Sequence, residues 1–164
     1  MSGTLPLRLE VNGRSHDIAV EPRCTLADAI REQCGLTGTH LGCEHGVCGA
    51  CTVLVDGAPV RACLMFAVQA AGQAVRTVEG LAEGDALHPL QRAFIEHHGL
   101  QCGFCTPGFL MLAAGVLERE PDIGEEALLD ALASNLCRCT GYATILAAVR
   151  SAAAEMRATT RGDR

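Results

Sequence analysis

"GCEHGVCGAC", residues 42–51, places three cysteines within nine positions, and the way it is read decides the fold. Cys43, Cys48 and Cys51 are followed by Cys63, in the order C-x4-C-x2-C-x11-C. Three thiolates from so short a loop face one centre only if the backbone curls tightly and turns its N–H groups inward. Gly42, Gly46 and Gly49 provide the positive φ values and close approach that this demands. Inward N–H groups also stabilise an anionic centre and tune its potential.

A C-x4-C-x2-C run with a distant fourth cysteine is the plant-type ferredoxin ligand spacing, so a [2Fe–2S] cluster is expected on Cys43, Cys48, Cys51 and Cys63. Zinc sites usually arrange their ligands as two short-spaced pairs rather than three from one loop. A Rieske centre needs two histidine ligands, and four cysteines already complete this site. His45 therefore reads as a loop or surface residue.

On either side of the loop the first half reads as strands. Leu5, Leu7, Leu9 and Val11 alternate and then turn at Asn12-Gly13, and "CTVLVDGAPVRAC" turns again at Asp56-Gly57. Leu26, Ala29, Ile30 and Cys34 predict one helix with Thr25 as its N-cap. The extended piece "QAVRTVEG" closes this half. The second half reads as helices. Leu87, Leu90, Phe94 and Ile95 form one stripe, and further helices are expected over Phe109–Leu117, Glu125–Ala133 and Tyr142–Met156. Thr106-Pro107 supplies a cap and a first-turn proline for the second of these. The period changes at "EGLAEGD", so the expected domains are 1–81 and 82–158, with a mobile tail at 159–164. His97-His98 reads as a solvated helix end.

Four more cysteines lie in the helical half: Cys102, Cys105, Cys137 and Cys139, as C-x2-C-x31-C-x-C. Both pairs stand just before helix starts, so two helix N-termini would aim unpaired N–H groups and positive dipole ends at one place. A centre held by four thiolates is net negative, and that geometry favours it and raises its potential. A thioredoxin-like exchange site needs only one C-x-x-C, so this four reads as a second metal site. Cys24 and Cys34 stand outside both fours and are assigned no role.

Composition agrees with this. Ten cysteines in 164 residues fall below the roughly 8–10% of a disulfide scaffold. The N-terminus lacks the charged and apolar regions of a secretion signal, so a cytoplasmic, reducing address is expected. The uncharged run from Gly99 to Leu117 contains Pro107 and two cysteines, and a buried loop and helix is expected rather than a membrane span. A net charge of −6 argues against nucleic-acid binding.

"GCEHGVCGAC" with Cys63, "QCGFCTPG" and "NLCRCTGY" together resemble the two-cluster iron–sulfur subunit of the molybdenum hydroxylases, relatives of xanthine dehydrogenase, aldehyde oxidoreductase and aerobic carbon monoxide dehydrogenase. The resemblance spans roughly residues 5 to 155 and all eight cysteine positions. It implies an α+β chain, a plant-ferredoxin-like β-grasp domain followed by an all-α four-helix bundle, with a [2Fe–2S] cluster in each. It implies that the second cluster lies nearest the molybdopterin-type cofactor of a large subunit, where Gln101 and Cys139 match positions touching the pterin. The first cluster would lie toward FAD on a medium subunit. The expected function is electron relay between them, without catalytic residues, in a hetero-oligomer expected to be a dimer of heterotrimers. The separate-subunit bacterial type is expected from the chain's extent.

Overall fold

The computed structural model describes residues 3–162. β1 (Leu5–Val11) and β2 (Arg14–Val20) pair antiparallel, with Leu5 opposite Val20 and Val11 opposite Arg14. Asn12 and Gly13 between them take φ values of 51° and 72°, the two left-handed positions of a type I′ turn. β3 (Thr52–Val55) and β4 (Ala58–Arg61) repeat the device at Asp56 and Gly57, with φ values of 48° and 77°. β5 (Ala74–Arg76) then inserts between the hairpins, parallel to β1 and antiparallel to β3. The resulting mixed sheet has the order β2-β1-β5-β3-β4.

One regular helix was expected after residue 25. The structure has α1 (Leu26–Asp28), which continues as a wider π-helical turn over Ala29–Gln33. Thr25 does cap it, accepting from the Asp28 N–H at 3.1 Å. In the wider turn the Cys34 N–H reaches back five residues to the Ala29 carbonyl. Cys34 therefore ends the element, half-buried, while Leu26, Ala27, Ala29 and Ile30 are all buried. They pack on Leu7, Leu9, Val11, Val53, Val55 and Val75 to form the first core.

The helical half contains α2 (Pro89–Glu96), α3 (Thr106–Arg119), α4 (Glu125–Leu132) and α5 (Ala143–Gly162). α2 packs on α5 and α3, and α3 packs on α4. Phe94, Phe109, Met111, Leu132 and Ile145 are fully buried in the second core. Each such side chain contributes about 1.5–3 kcal/mol on removal from water. The expected stripe on the first of these helices is corrected in part. Leu87 precedes the helix and Ile95 points a quarter-turn away from Phe94, so both are exposed, and Ala93 completes the buried face. The segment expected to be mobile from residue 159 is helical as far as Gly162, and residues 163 and 164 lie outside the described residues.

The two halves share a wall. All four residues of β3 are buried, because Val53 and Val55 enter the first core while Leu54 enters the second. α3 covers that second face of the sheet. A Cβ on Gly108 would lie 2.3 Å from the Gly49 carbonyl oxygen, and one on Gly115 would lie 2.6 Å from Leu54 and Pro59 side-chain atoms. These glycines are seven residues apart and so face the same side of α3. Among the described residues no helix is long and apolar enough to cross a membrane.

Candidate metal centres

The loop between α1 and β3 carries Cys43, Cys48 and Cys51, and the turn after β4 carries Cys63. Gly46 and Gly49 take φ values of 83° and 75°, as a tight curl requires. Glu44 is also left-handed, at 55°. Gly42 serves differently: a Cβ there would lie 3.1 Å from the Cys48 sulfur and 3.3 Å from the Phe104 ring. The Cys48 N–H donates to the Cys43 sulfur at 3.3 Å. Backbone N–H groups of Cys48, then His45, bring the Cys43 thiol down to about 6. Burial pushes Cys51, whose thiol meets that of Cys63, up to about 11. His45 is exposed, its ring Nδ1 against the Cys43 carbonyl.

The second four lines a pocket of about 520 Å³ together with Phe104, Leu136, Arg138 and Tyr142. Cys102 and Cys105 precede α3, and Cys137 and Cys139 precede α5, so both helix N-termini open here. The Cys105 thiol meets Cys137, and the Cys139 thiol meets Cys102. Cys102 and Cys139 are exposed, whereas Cys105 and Cys137 are half-buried. Gln101, next to Cys102, is exposed too.

Thr140 organises the inner pair. Its hydroxyl donates to the Cys137 sulfur at 3.2 Å and accepts from the Tyr142 N–H at 3.1 Å. The Tyr142 phenol oxygen in turn accepts from the Cys137 N–H at 3.1 Å. Burial raises the Cys137 thiol, but the Thr140 hydroxyl and nearby N–H groups prevail and bring it to about 7. Burial pushes Cys105 up to about 12. Each four thus sets a thiol lowered by N–H and hydroxyl donors beside one raised by burial. The sequence reading made Thr106 the cap of α3. The structure places Cys105 there, with Thr106 in the first turn and its hydroxyl buried without a partner.

The two loops touch across a long stretch of chain. The Leu136 N–H, one residue before Cys137, donates to the Cys48 carbonyl at 2.9 Å. Beside it the His40 ring stacks on Phe104 at 5.0 Å, and its Nδ1 lies 2.8 Å from the Phe104 carbonyl. On the other flank Arg61 donates to the Ser134 carbonyl at 2.8 Å. Nothing in residue spacing announces Leu136, Thr140 or Arg61.

The donor sets fit two binuclear clusters. Among the described residues no group of three or more His, Cys, Asp or Glu side chains is drawn together as tightly as one metal ion would require. A [2Fe–2S] centre asks instead for four thiolates, two at each iron, and the thiols here meet in pairs.

Comparison with known proteins agrees with the geometry. Residues 9–89 match the 2Fe-2S iron-sulfur cluster binding domain, and residues 77–150 match a second [2Fe-2S] binding domain. The chain is 57% identical over 151 residues to the nicotine 6-hydroxylase small subunit of Paenarthrobacter nicotinovorans, which covers 92% of this chain and 91% of that one. The structure of quinoline 2-oxidoreductase from Pseudomonas putida 86 superposes with a TM-score of 0.90 at 49% identity, covering 99% of this chain and all of the matched one. Aldehyde oxidoreductase from Desulfovibrio gigas superposes with a TM-score of 0.89 at 42% identity over 94% of this chain, which there corresponds to 17% of a longer polypeptide. Likeness of this extent shows the family: the chain belongs to the iron–sulfur small subunits of the molybdenum hydroxylases, with a ferredoxin-like [2Fe–2S] domain in its first half and a helical one in its second.

Proposed function

We propose that the chain is the non-catalytic electron-transfer subunit of a molybdenum-dependent hydroxylase, relaying electrons from the molybdopterin centre of a large subunit to FAD on a medium subunit. Cys43, Cys48, Cys51 and Cys63 hold one [2Fe–2S] cluster, and Cys102, Cys105, Cys137 and Cys139 hold the other. When bound, the two clusters supply one-electron transfer between centres that exchange electrons in pairs. The observation that carries the reading is the contact between the two loops, where Leu136 meets the Cys48 carbonyl. It sets the two fours side by side, and the second opens outward through Cys102 and Cys139.

The chain's own residues then have separable tasks. Thr140 and the N–H groups at the two helix N-termini stabilise negative charge on the second set of sulfurs. Burial of Cys51 and Cys63 keeps water from the first. Exposed Gln101 and Cys139 meet the pterin of the large subunit, while the loop around Cys43 and Cys48 faces the flavin. The domains divide at 81/82, where the two matched regions overlap. Residues 82–158 act as a four-helix bundle. The assembly is a cytoplasmic dimer of heterotrimers, and its substrate is chosen by the large subunit. Nicotine, quinoline and aldehydes, named for the relatives, mark the range of substrate chemistry.

Affinity purification of the chain from its own host tests this. A large molybdenum-containing chain and a medium flavin-containing chain should co-purify, with two distinguishable S = 1/2 signals after dithionite reduction. Recovery of the chain alone, with iron but neither partner, would make it a free-standing ferredoxin and overturn the proposal.

A further inference from the structure

The Gly49 carbonyl lies between Cys48 and Cys51 and is held from both halves of the molecule. The Thr52 hydroxyl donates to it at 2.7 Å from the ferredoxin-like side. The Asn135 side-chain N–H donates to it at 3.3 Å from the helical side, across 86 positions of sequence. Asn135 stands two residues before Cys137 and is 1% exposed. Its amide occupies the place a Gly49 side chain would take, since a Cβ there would lie 1.9 Å from the Asn135 Oδ1. Gly49 in turn needs its positive φ of 75°, so a side chain at position 49 would both strain the backbone and collide with Asn135. Arg61 completes the brace: it bonds the Thr52 hydroxyl with one nitrogen and the Ser134 carbonyl and hydroxyl with another.

A side chain that only filled space here would be apolar. Asn135 keeps an amide whose Oδ1 is buried without a partner, and such an atom is costly to bury. What the amide gains in return is one directional bond to the loop of the other cysteine four. We infer that Asn135 is a positioning residue that fixes how closely the two cluster loops approach, and through that the electronic and magnetic coupling of the two centres. The inference rests on the two-cluster function proposed above. Each exchange oxidises one centre by one electron and reduces the other by one, with no proton or bond transferred, so separation is the quantity such a residue can govern.

The test uses the full chain carrying both clusters, fully reduced, in wild-type, Asn135→Ala and Arg61→Ala forms. Iron content is read beside low-temperature electron paramagnetic resonance. The wild type should hold four irons and show mutual splitting of its two signals. Wild-type protein with only two irons would refute the two-cluster function itself. Asn135→Ala should keep four irons and both sets of g values while the splitting narrows, and Arg61→Ala should narrow it in the same direction. Four irons with wild-type splitting in Asn135→Ala would overturn the inference. So would loss of iron from Asn135→Ala combined with four irons and wild-type splitting in Arg61→Ala, because Asn135 would then be serving only to hold the fold together.

Discussion

Gly108→Ala provides a sharp test of how the two halves dock, because the two relevant effects have opposite signs. In an unencumbered helix, replacing glycine by alanine stabilises by about 1 kcal/mol. Gly108 lies in the first turn of α3, and an added Cβ would stand 2.3 Å from the Gly49 oxygen, 3.0 Å from the Ala50 Cα and 3.1 Å from the Ala50 oxygen. All three are backbone atoms of the first cysteine loop, so no side-chain rotation relieves the contact. An ordinary carbon–oxygen approach is about 3.3 Å, so α3 and the loop must part by about 1 Å. Overpacking of this kind costs about 1–3 kcal/mol. Set against the gain in helix propensity, the net loss reaches about 2 kcal/mol, or roughly 4–8 °C in Tm for a chain of this size, where the overpacking cost is at its upper end. Thermal unfolding of the iron-loaded protein, followed by far-UV circular dichroism and by cluster absorbance, reads the change. A Tm that rises by the few degrees expected of an unencumbered Gly→Ala change would mean that α3 does not sit against the first loop, and the docking argument would fall with it. Gly115→Ala should be milder, because its nearest neighbours are side-chain atoms of Leu54 and Pro59 rather than backbone.

Thr140→Val removes the hydroxyl that donates to the Cys137 sulfur while keeping the shape. Donation to sulfur favours the more negative, reduced centre, so one of the two midpoint potentials should fall by roughly 40 mV, taking about 1 kcal/mol for the bond. The other potential should not move, and a redox titration in which neither shifts, or both shift alike, would contradict the assignment. His88 gives a pH test away from the sulfurs. Its Nδ1 accepts from the Leu90 N–H at the start of α2, and burial first, then Arg76 and Arg92, lower its pKa against the opposing pull of Glu118 and Glu155. A histidine held neutral in this way contributes stability above its ordinary value near 6.5, and that contribution is lost as pH falls through that value toward the depressed one. His88→Asn retains a capping acceptor but cannot titrate, so its Tm should drop less than that of the wild type between pH 7.5 and 5.5, taken as roughly a unit either side of that value. Parallel curves would rule out the role.

Much of the local structure was legible because it is dictated by neighbours in sequence. Asn12-Gly13 and Asp56-Gly57 make hairpins because both turn positions need positive φ. The strand "TVLV" holds three consecutive apolar residues, Val53 to Val55, and such a run signals burial on both faces; Leu54 does enter the helical core. The widening of α1 was not legible, since the stripe Leu26, Ala29, Ile30, Cys34 fits a regular helix equally well. Leu87 and Ile95 satisfied the helical spacing yet are exposed, because periodicity does not say where a helix begins or which neighbour covers it. Asn135, Arg61 and Thr140 were passed over for a similar reason. The bond each makes is set by side-chain placement that cysteine spacing does not encode, and for Asn135 and Arg61 the partner lies in the other half of the chain.

Sequence spacing alone groups Cys43, Cys48 and Cys51 on one glycine-rich loop and pairs Cys102 with Cys105 and Cys137 with Cys139 ahead of helices, since thiolates a few residues apart face one place. Bringing Cys63 to the loop and the two pairs together took the fold. Sequence also determined the order of strands and helices that carries them. That the fours lie side by side was decided only by tertiary structure. The contacts responsible, Leu136 on the Cys48 carbonyl, Asn135 on Gly49 and Gly108 against Gly49 and Ala50, join residues far apart in the chain. They form once α3 closes over β3 and two separate cores come to share one wall.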